Sequence, residues 1–449
     1  MKINSKLPFI ATLVAVILTF AGFSGYAQET SVSSEAADTL NSKIETVKSD
    51  LDLLKKLKIT GYIQAQWQHT DTAGSVTPFS GGAFPTASNN RYMLRRGRIK
   101  FAYDNEFSTF VLQLDATEKG LALKDAYVAV RDPWKQFVTL TAGVFNRPFG
   151  YEISYSSSNR ETPERARIFQ TLFPQERDLG AMITLNPMKG TKYDWIKLDA
   201  GLFTGNGINP GFDSKKDFIG HLYFAKANKS ETVKFGGGIS YYNGSVFQGT
   251  KYVYKPGEVI DVTLPGLVDS TSTNKNGFAK RSYVGLDGQL TVQSLIGFTT
   301  IRAEYLTGTQ PVSKGSNVSL STSTAPAYDT YIRKFNGGYV YLIQNIGQTK
   351  NQLVVKYDWY DPNTQVKGSD IMAKSIAGKN TGLGVADIKF TTIGMGWNYR
   401  FNSQVKLMAY YEIVKNETTA LSAAGTNGST NTTKNLKDNV FTLRVQYKF

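Results

Sequence analysis

The chain has 449 residues, with 51 Lys and Arg against 36 Asp and Glu, a formal charge of +15, two His and no Cys. Without Cys there is no disulfide scaffold, no thiolate metal site and no thiol nucleophile, and two His leave little room for His-based chemistry. A mean hydropathy of −0.28, with 12% aromatic residues and 41 Gly, excludes a polytopic helical membrane protein and favours strands.

The N-terminus reads as an export signal. Lys2 and Lys6 precede the apolar stretch Phe9 to Phe20, and Gly25-Tyr26-Ala27 supplies small residues at a cleavage site. Residues 1–27 are therefore expected to be a signal peptide cleaved after Ala27. In the segment 28–57, Leu40, Ile44, Val47, Leu51 and Leu54 recur at spacings of 4, 3, 4 and 3. That is a helix with an apolar seam about two heptads long, either an oligomerising stalk or one locally packed amphipathic helix.

From Lys58 the period changes to two, and 58–449 reads as an all-β region. Phe441, Leu443, Val445, Tyr447 and Phe449 alternate with Thr442, Arg444, Gln446 and Lys448, and similar alternation marks 353–360 and 405–413. Strands apolar on one face and near ten residues long suit a transmembrane antiparallel barrel. Sixteen are expected, near 58–68, 91–104, 107–117, 122–131, 136–146, 178–187, 193–204, 216–227, 232–242, 280–292, 296–307, 332–345, 350–361, 387–400, 404–416 and 438–449. Short even-to-odd links such as 105–106 and 402–403 oppose long odd-to-even loops at 69–90, 147–177, 243–279, 308–331, 362–386 and 417–437. Alternating loop lengths of this kind are the pattern of an outer-membrane barrel, whose apolar face meets lipid.

The polar face then lines the lumen. Alternation places twelve cations there (Arg96, Arg98, Lys100, Arg131, Lys197, Lys234, Arg302, Lys356, Arg400, Lys406, Arg444 and Lys448) against seven anions, Asp115 and Asp125 among them. Such a lumen concentrates anions. Arg96, Arg98 and Lys100 form a ladder roughly 13–14 Å long. Arg95 falls on the lipid side unless a bulge re-aims it or it lies at the membrane boundary. The alternative reading of the ladder is a face balanced by Asp115 and Asp125. Tyr127 should point inward and Trp359 outward. The connection 146–178 carries Arg147, Arg160, Arg165, Arg167 and Arg177 against five carboxylates, a net charge of zero. As the third odd-to-even connection, it is the candidate for a loop folded inward to form a constriction.

Arg95-Arg96-Gly97-Arg98-Ile99-Lys100-Phe101, Lys124-Asp125-Ala126-Tyr127-Val128 and Ala142-Gly143-Val144-Phe145-Asn146-Arg147-Pro148-Phe149-Gly150-Tyr151-Glu152 follow in this order. Glu176-Arg177-Asp178-Leu179-Gly180, Lys356-Tyr357-Asp358-Trp359-Tyr360-Asp361-Pro362 and Gly394-Met395-Gly396-Trp397-Asn398-Tyr399 come after them. Over 58–449 the set resembles the phosphate-selective porin O and P family. The resemblance implies a 16-stranded, trimeric, anion-selective outer-membrane channel with an Arg-lined constriction for phosphate or pyrophosphate, its paired Arg falling on Arg95 and Arg96. The expected partners are small anionic solutes, outer-membrane lipid and further copies of the chain. An exported protein is not expected to bind nucleic acid. No cofactor, metal or enzymatic activity is expected, since no phosphate-cradling Gly motif, nucleophile elbow or His-containing metal spacing occurs. Two other readings of the same barrel stay open: a general nutrient porin of low selectivity, and a loop-plugged surface receptor or adhesin.

Overall fold

The computed structural model describes residues 34–75, 81–258, 265–269, 274–371, 382–421 and 431–449. The expected signal peptide, 1–27, lies outside the described residues. The chain divides into two units, the second beginning at Lys56. The first is helix α1 (Ser34–Lys56), which carries the heptad seam. Its exposed face holds i,i+3 pairs, Lys48–Glu45 at 2.7 Å and Lys55–Asp52 at 3.0 Å. Leu40, Ile44, Val47, Leu51 and Leu54 are all exposed in the single chain.

The second unit is built from β1 (Leu57–Thr70), β2 (Asn90–Asn105), β3 (Ser108–Thr117), β4 (Gly120–Arg131), β5 (Val138–Asn146), β6 (Arg177–Leu185), β7 (Ile196–Phe203), β8 (Asp217–Ala227) and β9 (Val233–Phe247). After the pair β10 (Val253–Glu258) and β11 (Pro265–Asp269) follow β12 (Phe278–Ser294), β13 (Gly297–Val312), β14 (Thr330–Asn345), β15 (Asn351–Asp361), β16 (Phe390–Arg400), β17 (Val405–Asn416) and β18 (Val440–Lys448). β9 pairs directly with β12, and β1 with β18, so sixteen antiparallel strands close on themselves. The closing seam runs from Tyr62↔Lys448 to Thr70↔Val440. Closure removes the unpaired edges that an open sheet would present to lipid.

The β10–β11 hairpin stands in the connection expected to be a plain loop. β10 joins the sheet by parallel pairing to β14, at Val253↔Thr330 and Tyr254↔Tyr331. The rings of Tyr254 and Tyr331 stack at 4.5 Å. A six-residue strand is too short for a period-two signal to rise above its surroundings.

Each strand shows its apolar row to the outside. Leu353, Val355 and Tyr357 on β15 are exposed, whereas Gln352, Val354, Lys356, Asp358 and Tyr360 are buried. Trp359 lies on the outward row beside Tyr357 and Tyr305. The lumen wall is not polar throughout, however. Tyr242, Tyr283, Leu306, Phe335, Tyr339, Tyr341, Tyr360 and Tyr410, on β9, β12–β15 and β17, face inward and are almost fully buried. What covers them is the connection between β5 and β6.

Candidate functional site

Residues 147–176 fold into the barrel. Phe149, Ile153, Ile168, Phe169, Leu172 and Phe173 are buried at 0–1% exposure and form one cluster with the inward aromatics of β9, β12, β14, β15 and β17. The rings of Phe149 and Phe173 lie 5.0 Å apart, Phe173 and Tyr283 5.9 Å, and Phe169 and Tyr339 5.8 Å. Each such side chain gains roughly 1.5–3 kcal/mol from burial, so the loop is held as a domain core is held. Helix α2 (Arg167–Leu172) is a single turn within it. Gly150 begins the inward run at φ +61°, and a Cβ there would stand 1.5 Å from Glu304 Oε1. Its N–H donates to Ser240 Oγ at 2.8 Å, and the Glu152 N–H donates to Glu304 Oε2 at 3.0 Å.

Polar tethers fix the rest of the loop. Arg302 pairs with Glu161 at 3.1 Å beneath the rings of Tyr151 and Tyr155. Lys406 Nζ donates to the carbonyls of Ser158 and Arg160 at 3.2 and 2.9 Å. Gln446 Nε2 donates to Ser158 O at 2.9 Å, Gln64 Nε2 to Ser157 O at 3.1 Å, and Arg444 Nη1 to Pro163 O at 2.7 Å.

The centre of the tether network is Glu164. Its carboxylate accepts from Arg95 (2.8 and 2.9 Å), from Arg96 (2.7 and 3.4 Å) and from Arg444 (3.0 Å). Burial pushes this carboxyl up, but the three guanidinium groups outweigh it and hold the group well below the usual carboxylate range. Arg95 reaches this point through a bulge. The register between β1 and β2 jumps from Gln64↔Arg96 to Ala65↔Leu94, leaving Arg95 as the extra residue, turned inward.

β4 repeats the device. Its register against β3 jumps from Gln113↔Asp125 to Leu114↔Leu123, and Lys124 is the extra residue. The loop side answers with a strained turn. Gln175 and Glu176 have φ of +62° and +68°, a conformation that costs a non-Gly residue about 1–3 kcal/mol. The turn sets the Glu176 carboxylate between Arg165 and Arg177, the latter at 2.8 Å. Despite burial, those two cations and Lys124 hold Glu176 well below the usual range.

The loop fills the β9–β17 half of the interior, and cavities lie against the β1–β7 half, two of them lined by the basic residues of interest. The one nearer the long loops, about 300 Å³, is lined by Arg95, Arg96, Arg98, Lys124 and Arg165 with Asp115, Glu164 and Glu176 as its acids. The one nearer the short turns is about 510 Å³. Seven basic residues line it (Arg98, Lys100, Arg147, Arg165, Arg177, Lys197 and Lys448) against Asp125 and Asp199. Arg98 and Arg165 line both cavities and mark the boundary between them.

The structure thus divides the residues singled out by alternation. Arg96, Arg98, Lys100, Asp115, Asp125, Tyr127 and Lys197 line the cavities, as does Arg95 by way of its bulge. Arg98 pairs with Asp115 at 3.1 Å, Arg177 with Asp125 at 3.0 Å and Lys197 with Asp199 at 2.7 Å. Arg302, Lys406 and Arg444 are lumenal in direction but act as tethers under the loop, so they are not open pore wall. Lys356 is likewise sealed, with Asp358 at 2.9 Å and Glu412 at 3.7 Å. Lys234 sits at the turn end of β9, half exposed and paired with Glu231 at 2.8 Å, so it belongs to the mouth. Among the loop cations, Arg165 and Arg147 line a cavity, Arg147 also pairing with Asp178 at 3.0 Å. Arg160 is buried, and Arg167 lies over the Phe390 ring at 4.0 Å.

Lys124 was missed by the alternation count, yet a signal for it exists. Leu121 and Leu123 face outward while Asp125 and Tyr127 face inward at the same parity, which requires an extra residue between them. Tyr92 and Leu94 against Arg96 and Arg98 give the same signal for Arg95.

A closed 16-strand antiparallel barrel, apolar outside and narrowed by its third long loop, has the architecture of a porin. Residues 94–253 match the family described as phosphate-selective porin O and P, in agreement with the resemblance carried by the motifs. Among solved structures, the outer membrane channel DcaP of Acinetobacter baumannii has 11% identity and a TM-score of 0.52, covering 88% of this chain and 97% of its own. The anion-selective porin from Comamonas acidovorans has 10% identity and a TM-score of 0.50, covering 88% of this chain and 99% of its own. No curated protein matches the sequence.

Proposed function

We propose that the protein is a passive outer-membrane channel that prefers anions and takes phosphate or similar small oxyanions. The observation that carries this reading is the turn-side cavity, with seven basic against two acidic side chains. Low-dielectric walls of one sign raise the local concentration of the opposite ion. Cationic side chains attract phosphate oxygens, and the match to the family described as phosphate-selective porin O and P accords with this reading. The anion-selective Comamonas porin of similar fold accords with it. We further propose that residues 1–27 are removed on export, that 28–57 form a stalk, and that three copies assemble. The exposed heptad stripe of α1 would be buried in such a trimer.

The test is a planar bilayer holding the protein under a KCl gradient, with phosphate titrated in. A chloride-directed reversal potential, with current falling as phosphate is added, supports the reading. A potential near zero without block refutes it. Large conductance would then indicate a general nutrient porin, and no conductance a plugged surface barrel.

A further inference from the structure

Of the five basic residues lining the loop-side cavity, four are engaged by carboxylates. Arg95 and Arg96 hold Glu164, Arg98 holds Asp115, and Arg165 holds Glu176. The fifth, Lys124, is half-buried and makes no hydrogen bond or ion pair among the described residues. The charged groups around it are Glu176, Asp115, Arg98 and Arg177, and each of these already has a partner of opposite charge. A bulge, which disrupts the ladder locally, is what turns Lys124 inward. Lys100 also has no ion pair among the described residues and lines the turn-side cavity. Through the register Lys100↔Gln113↔Asp125 it sits two strands from Lys124 at nearly the same level, about 10 Å across the sheet. Arg98, which lines both cavities, stands one step further toward the long loops, level with Ala122 through Asp115.

We propose that Lys124 is the cation that contacts the permeating oxyanion in the narrow section and passes it to Lys100. The inference rests on the anion-channel reading and names the contact within it. The division of labour has a physical basis. Conduction needs a site strong enough to admit the ion and weak enough to release it. An Arg fork free to bind phosphate bidentately would hold the ion, whereas here the forks are occupied by carboxylates and shape the wall. A single ammonium on a flexible stem is a point charge that binds without a fixed geometry and lets go.

The natural chain has no Cys, which makes a thiol test clean. The full-length protein would be reconstituted in planar bilayers as wild type, Lys124→Gln and Lys124→Cys. The half-blocking phosphate concentration and the reversal potential would be read for each. Lys124→Gln should raise the half-blocking concentration about tenfold, the scale of one lost charge-assisted contact. The reversal potential should stay on the anion side, because the other basic residues remain. Treating Lys124→Cys with a methanethiosulfonate bearing an ammonium group should restore block in the same channel, and a sulfonate-bearing reagent should not. Wild-type block that Lys124→Gln leaves unchanged overturns the inference alone, as does equal rescue by either reagent. A wild type with no anion preference and no block overturns the channel reading and this inference with it.

Discussion

Replacing Glu164 by Gln removes one negative charge from the place where three guanidinium groups converge. The loop should not leave the barrel. Arg302–Glu161, the Lys406 carbonyl contacts and the aromatic cluster are independent of Glu164. Removing one partner of a buried ion pair costs about 3–5 kcal/mol, which should lower the unfolding midpoint without abolishing folding. The larger change is in the lumen, where the loop-side cavity goes from three carboxylates to two. For a monovalent anion about 6 Å away, one further uncompensated positive charge is worth between about 0.7 kcal/mol at the dielectric of water and about 2.8 kcal/mol at an effective value of 20. That corresponds to a roughly three- to hundredfold lower half-blocking phosphate concentration. The reversal potential should move further to the anion side, and the gain should shrink as salt screens it. Bilayer recording of wild type and Glu164→Gln at two salt concentrations reads both quantities. An intact channel with unchanged block and selectivity would refute the idea that Glu164 neutralises pore-facing Arg95 and Arg96. Acid should not imitate the mutation. The depressed carboxyl contributes stability that is present above its unfolded value of about 4.3 and is lost only as pH falls through its much lower folded value. Glu164 should therefore stay ionised at pH 4 as at pH 7.

Other perturbations follow from the same geometry. Gly150→Ala must leave φ +61° and push Cβ off Glu304, at a cost of at least about 2 kcal/mol. It should make the loop accessible to protease and the single-channel current noisy, and a resistant, quiet channel would contradict this. Phe173→Ala opens a void beside Phe149 and Tyr283 and should cost about 3–5 kcal/mol, read as a lowered unfolding midpoint in detergent. Asp438 lies in the connection before β18, where burial pushes its carboxyl up to about 6 against the opposing pull of Arg167. A raised folded value gives stability present below the unfolded carboxylate value of about 3.9 and lost as pH rises through about 6. Asp438→Asn should therefore match wild type at pH 3.5 and be more stable at pH 7.5, by up to about 2 kcal/mol once solvent screening is allowed for. Equal midpoints at both values would refute it.

The barrel was legible because a strand with lipid on one side and water or loop on the other must alternate. The sixteen expected ranges differ from the observed strands by a few residues at most of their ends, as at 58–68 against Leu57–Thr70. Alternation also gave the side on which Arg96, Arg98, Lys100 and Lys197 lie. It carries no information about partners, because those come from segments far apart in the chain. Lys406 and Arg302 sit on the expected face, yet a loop some 140 to 250 residues away decides that they are tethers. Nor does alternation show that the inward Tyr residues of β12–β15 and β17 are covered, because the loop that covers them meets them only in three dimensions. Bulges shift parity by one, and only a contradiction between neighbouring pairs reveals them.

The loop's sockets straddle the line where the barrel closes. Gln64 on β1 donates both to Ser157 O and, at 2.7 Å, to Gln446 Oε1 on β18. Arg444 on β18 bonds Gln66 on β1 at 2.9 Å as well as Glu164. These are contacts between the two ends of the chain, so they form after the greatest loss of loop-closure entropy. A sheet whose first and last strands have not met offers the inward loop only part of its binding surface. Seating of the constriction therefore reports completion of the cylinder. A barrel shut in the wrong register would displace Gln64 against Gln446 and leave Arg95, Arg96 and Arg444 without a shared counter-ion, so an incorrectly closed molecule would also be a leaky one.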